Sequence, residues 1–235
     1  MSDHPLDIEI GSVGDFELAL RRLWDRHCVF RGEDKTGYVL RPRAGRFEPA
    51  ETAVETGRTL LEEFKRRARP LVACVPADDW EWLALAHRYG LATRLLEWTA
   101  NPMVAAFWAV QEPYLGGDRV LWVLDCAGLP VGPVPGLSPF DAAEVTLFRA
   151  AHRGERVASQ CGVFTLHPCP TVPFVAQGLE RWVIASGALT GVCMTVDGYG
   201  TDEEACAYAD LDFLCRRLNW DREVGILADA AARRP

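Results

Sequence analysis

The 235-residue sequence has no CxxC pair among its eight cysteines, no apolar run of membrane-spanning length and no segment composed like a signal peptide. Without closely spaced ligand pairs, a zinc ribbon is not supported. The other two absences lead us to expect a cytoplasmic protein with no membrane partner. Its cysteines, at 28, 74, 126, 161, 169, 193, 206 and 215, are then buried thiols rather than disulfides. Neither GxGxxG nor GxxxxGKS/T occurs, so both glycine-rich phosphate loops are missing. Low-complexity linkers and charge runs are missing too, and residues 1–235 read as one domain. A net charge of −8 argues against a broad nucleic-acid surface but leaves room for a local basic pocket.

What the chain does have is apolar mass, with 49% hydrophobic residues and eight tryptophans, enough for a substantial core. The stretch 83–110 is the most informative. Asp78 can cap a helix with Glu81 at the capping-box position. Leu83, Ala86 and Tyr89 form its stripe, and Gly90 stops it. Residues 93–99 read as a strand, and Asn101-Pro102 as the cap and first turn of a helix that is apolar nearly all round, Trp108 included. Polar Arg94, Glu97 and Thr99 beside a buried helix start have the pattern of a pocket. Alternation along the strand places Leu95, Glu97 and Thr99 on one face and Arg94, Leu96 and Trp98 on the other. Glu97 and Thr99 are therefore expected to face the pocket, while Arg94 anchors a neighbouring element through a carboxylate such as Asp210 or Asp212.

Elsewhere, Phe16, Ala19, Leu20, Leu23 and Trp24 have helical spacing, and 28–32 reads as a short strand ending in Arg31 and Gly32. Arg31 is either a solvated strand end or the partner of a carboxylate or phosphate. Arg41, Arg43 and Arg46 make the densest basic patch. A helix is expected over 55–68, with Leu60, Leu61, Phe64 and Ala68 inward, and an internal strand over 119–125. Another helix is expected from Ser138-Pro139 through Phe148, strands over 159–166 and 181–185, loops among the glycines at 187–200, and a last helix capped by Asp202. Strands and helices interleave without a repeated βαβ unit, which indicates a mixed α+β fold.

Phe30-Arg31-Gly32, the string from Leu85 to Thr99, residues 156–166 and residues 208–218 together resemble the FRG domain family, named for its Phe-Arg-Gly motif. Ala92 and Glu97 stand where that family usually has proline and aspartate. The order of motifs is in turn similar to the ADP-ribosyltransferase fold, a largely antiparallel central sheet flanked by helices. This resemblance implies NAD, as substrate, in a pocket formed by Arg31, Gly32, His87, Glu97 and Thr99. It assigns catalysis to Arg31, Thr99 and either Gln160 or Glu155. The implied activity is transfer of ADP-ribose to an unidentified protein or nucleic-acid acceptor, as in a bacterial toxin or phage-defence effector. Two alternatives stay open at this point: a non-catalytic module that binds a nucleotide in the same pocket, and an ion network of Arg31, Arg94 and Glu97 that only fixes the fold.

Overall fold

Among the described residues of the computed structural model, eight strands form one sheet in the order β1-β8-β4-β2-β3-β7-β6-β5. The structure describes residues 5–47, 49–111, 116–134, 136–150 and 162–201. The strands are β1 (Leu6–Ile10), β2 (Cys28–Glu33), β3 (Leu95–Thr99), β4 (Arg119–Asp125), β5 (Val131–Gly132), β6 (Thr146–Phe148), β7 (Gly162–Leu166) and β8 (Leu179–Ile184). Only β1 with β8 and β5 with β6 pair in parallel; the other five pairings are antiparallel. The fold is thus α+β with a mixed, largely antiparallel sheet, as the sequence indicates.

Among the described residues five α-helices flank it: α1 (Val13–Arg21), α2 (Ala53–Ala68), α3 (Asp79–Arg88), α4 (Pro102–Val110) and α5 (Leu189–Gly198). Their ends follow the local chemistry. Asp78 accepts from the Glu81 amide, while the Glu81 carboxylate reaches back to the Ala77 amide at 2.8 Å. Gly90 adopts φ +84° just past the end of α3. Asn101 caps α4 by accepting from the Met103 amide at 2.9 Å.

One face of the sheet is covered in two halves. Phe30, Leu121, Val123, Trp182 and Ile184 pack with residues of α1, α4 and α5 into one apolar cluster. Leu95, Phe148, Phe164 and Leu166 pack with α2 and α3 into a second. On the opposite face Val29, Leu96, Trp98, Trp122 and Val163 form a third, closed by Leu40 and Phe174 from connecting segments. Strand alternation produces this sorting, so Leu96 and Trp98 fall on one side of β3 and Leu95 on the other.

Several expectations need correction. Residues 138–148 form turns and β6 instead of a helix: Phe140 and Ala142 reach the second cluster from the turns, and Thr146–Phe148 are taken up by pairing with β7. Residues 189–198 are helical instead of loop, since Leu189, Val192 and Val196 bury against the first cluster. β1 and β5 had no clear signal. Trp24 lies beyond the end of α1 and is 93% exposed, and Tyr89 and Leu60 are exposed too. Of the five described cysteines, Cys74 and Cys169 are exposed and Cys28, Cys126 and Cys193 half-buried. Burial pushes the Cys28 thiol up to about 11. The expected helix beginning at Asp202 lies outside the described residues.

Arg94 does anchor neighbouring elements, but through carbonyls. It donates from Nε to His167 O at 2.9 Å, from Nη1 to Pro139 O at 3.1 Å and from Nη2 to Pro168 O. Carbonyl lone pairs therefore do what a carboxylate was expected to do; Asp210 and Asp212 lie outside the described residues.

Behind β3, Trp98 Nε1 donates to Thr165 Oγ1 at 2.8 Å, and the same hydroxyl lies 2.9 Å from His167 Nε2. Burial, aided by the Arg94 charge, pushes His167 down to about 3. Its folded pKa lies below the ordinary 6.5, so its contribution to stability is complete above that value and is lost as pH falls towards 3. The expected loss is roughly 2 kcal/mol by pH 5. Urea titrations at several pH values should give a shallower acid slope for His167→Gln than for the parent; identical slopes would refute this.

Candidate functional site

The cleft opens where β2 and β3 part. These strands share a single register pair, Phe30 with Thr99. Past it, Arg31 spans the gap, its Nη1 donating to the Glu97 carbonyl at 3.0 Å. Its Nε donates to Glu33 Oε1 at 3.0 Å, and Glu33 Oε2 accepts from Trp122 Nε1 at 3.2 Å. Arg31 is thus neither a plain solvated strand end nor paired with the Glu97 carboxylate. It meets the nearly buried carboxylate two residues further along its own strand. Removing Arg31 would strand that carboxylate, so the residue shapes the cleft as well as lining it.

Gly32 brings β2 against α4. A Cβ there would lie 1.9 Å from the Ala105 carbonyl oxygen, so no other residue permits this approach. The resulting cleft has a volume of about 510 Å³. Arg31, Gly32, His87, Glu97 and Thr99 all line it, together with Glu33, Asp34, Tyr38, Arg46, Arg88 and Gly162. Val104, Ala105 and Trp108 supply one wall from a single face of α4. Trp108 is consequently half-buried on the cleft instead of enclosed in the core, whereas the rest of the helix after Met103 is buried. Gln160 and Glu155 lie outside the described residues.

His87 and Glu97 form the polar centre. Thr93 Oγ1 accepts from the Leu95 amide at 3.3 Å and lies within hydrogen-bond distance of His87 Nδ1, at 2.6 Å. The other ring nitrogen, Nε2, faces Glu97 Oε2 at 3.7 Å. Burial, with the charges of Arg31, Arg43 and Arg88, pushes His87 down to about 4. At neutral pH the imidazole is therefore uncharged, and it lies too far from Glu97 for a hydrogen bond. Thr99 Oγ1 accepts from the Asn101 amide at 3.0 Å, which ties the cleft floor to the start of α4.

Sequence reasoning missed Tyr38, Arg46, Arg88 and the position of Trp108. The 104, 105, 108 spacing on a helix that starts directly after β3 was the available signal for the last of these.

The geometry defines an α+β protein with a polar, arginine-bearing cleft at a parting of its sheet. Residues 26–115 match the family model of the FRG domain, so over this segment the chain is similar to that family. Every cleft residue named above except Gly162 falls inside it. No curated protein and no solved structure matches the chain. Among the described residues, no helix is long and apolar enough to cross a membrane.

Proposed function

We propose that the cleft binds NAD or a related nucleotide and that the protein is an ADP-ribosyltransferase-like enzyme acting on a protein or nucleic-acid acceptor, in a toxin or defence role. The observation that carries this reading is convergence: Arg31-Gly32 and the Glu97–Thr99 segment, 66 residues apart, meet in one cleft. The groups suit such a ligand. Guanidinium forks complement a pyrophosphate, a tryptophan face suits a base, and a threonine hydroxyl can orient a ribose. In the transfer, the bond from ribose C1′ to the nicotinamide nitrogen breaks with its electron pair leaving on neutral nicotinamide. The acceptor nucleophile bonds to C1′ and gives up its proton. Positive charge builds on the ribose in between, and of the described carboxylates lining the cleft, Glu33, Asp34 and Glu97, this reading sets Glu97, beside His87 and Thr99, against it. The roles assigned to Gln160 or Glu155 remain part of this proposal.

A second reading is a non-catalytic module that holds a nucleotide in the same cleft, with Arg31 kept by Glu33 and the Glu97 carbonyl as part of its frame. Incubation with NAD followed by chromatography for free nicotinamide separates the two. The expected result is release that falls about 100-fold in Glu97→Gln while NAD still raises the thermal midpoint. A raised midpoint without release leaves the binding module; neither effect overturns both readings.

A further inference from the structure

Next to the cleft is a rim whose charge runs against that of the chain. The 3-10 turn Arg43–Arg46 is pinned on both sides. Ala44 N donates to Thr93 O at 3.1 Å, and Arg43 Nη1 donates to Gly90 O at 2.9 Å. Gly45 sits so close to Pro170 that a Cβ would lie 1.8 Å from its carbonyl oxygen. The turn is thereby fixed to the C-terminal end of α3: Phe47 is the residue that ends the turn and Tyr89 the one that ends the helix. Both rings are open to solvent, at 69% and 76% exposure. The Arg43 guanidinium lies 6.0 Å from the centre of the Phe47 ring, and Arg46 is exposed yet also lines the cleft.

These arginines are not neutralised. Arg43 and Arg46 donate to the carbonyls of Gly90 and Arg41, and neither pairs with a carboxylate among the described residues. On α2, by contrast, Lys65 is matched to Glu62 and Asp79, and Arg66 and Arg67 to Glu63. Unmatched guanidiniums interleaved with exposed rings, in a chain of net charge −8, make a short positive track able to stack planar groups. The overall negative charge disfavours a long duplex footprint, and paired bases do not offer their faces to the rings.

We propose that this rim docks a single-stranded nucleic acid as the acceptor, with bases on Phe47 and Tyr89 and phosphates on Arg43 and Arg46, so that one nucleotide reaches the cleft. The name acceptor rests on the function proposed above; the surface itself does not. An acidic protein would satisfy the charges alone, and the test separates the two.

The experiment is fluorescence anisotropy of labelled oligo-dT and oligo-U of about 20 nucleotides. Binding to the parent protein is expected, weakening about 7-fold between roughly 50 and 200 mM salt, as two phosphate contacts require. Phe47→Ala with Tyr89→Ala should weaken it about 30-fold, and Arg43→Gln should flatten the salt dependence. None of these residues lines the cleft, so the thermal response to NAD should be unchanged in all variants. No binding at low salt, equal binding by the double variant, or equal affinity for a duplex of the same sequence would overturn the proposal. Rim-dependent oligonucleotide binding by a protein that ignores NAD would support this surface and count against the cleft's reading only.

Discussion

Arg94→Leu is expected to lower folding stability by about 3 kcal/mol or more, which chemical denaturation of the folded protein will measure. Arg94 is 3% exposed, and its three donors serve three carbonyls on segments that are distant in sequence. Leucine fills part of the volume and supplies no donor, so the carbonyls of Pro139, His167 and Pro168 lose their charged partner inside the protein. Each lost bond to a charged group costs roughly 1–3 kcal/mol. The guanidinium also stacks 5.5 Å from the Phe140 ring. Burial pulls its pKa down to about 10, so it stays protonated at neutral pH despite its surroundings. Arg94→Lys should recover little, because one ammonium cannot match a planar fork aimed at three acceptors. A loss under about 1 kcal/mol in the leucine variant would mean that the carbonyls find other partners.

Gly32→Ala should be nearly as damaging, at about 3 kcal/mol, the upper range for overpacking. The added carbon would meet the Ala105 carbonyl at 1.9 Å and the Ala109 amide at 2.7 Å, both backbone atoms of α4. A side chain could turn away; a helix must shift as a body, opening the apolar cluster it shares with β2 and β4. Because α4 also forms a wall of the cleft, ligand affinity should fall with stability. Gly37→Ala, where nothing lies within 4 Å, serves as the control and should be nearly neutral. A Gly32→Ala protein as stable as that control would disprove the close-approach argument.

The parts of the fold legible in the sequence were those with local physical signatures. The caps at Asp78 and Asn101, the stop at Gly90 and the apolar run of β4 depend on neighbours a few residues away, and all are present. Alternation along 95–99 placed Glu97 and Thr99 on one face of β3, and both line the cleft. The misses were decided by distant partners. β1 exists through its parallel pairing with β8, more than 170 residues away, and its Leu6 and Asp7 show no strong apolar period. The helix at 189–198 wins over its glycines because Leu189, Val192 and Val196 find a core waiting for them. One site feature was readable but went unread. Arg31 and Glu33 are two apart on a strand and so share a face, which anticipates their ion pair without any fold in hand.

The single register pair between β2 and β3 gives the sheet an uneven mechanical character. Each half owns its apolar cluster on the helical face, and few backbone bonds tie one half to the other. The opposite face behaves differently: the third cluster crosses the seam, with Val29 and Trp122 on one side and Leu96 and Trp98 on the other, and acts as a hinge plate that resists opening. Any molecule seated in the cleft touches residues of both halves and adds a second, non-covalent crosslink to the one that cluster provides.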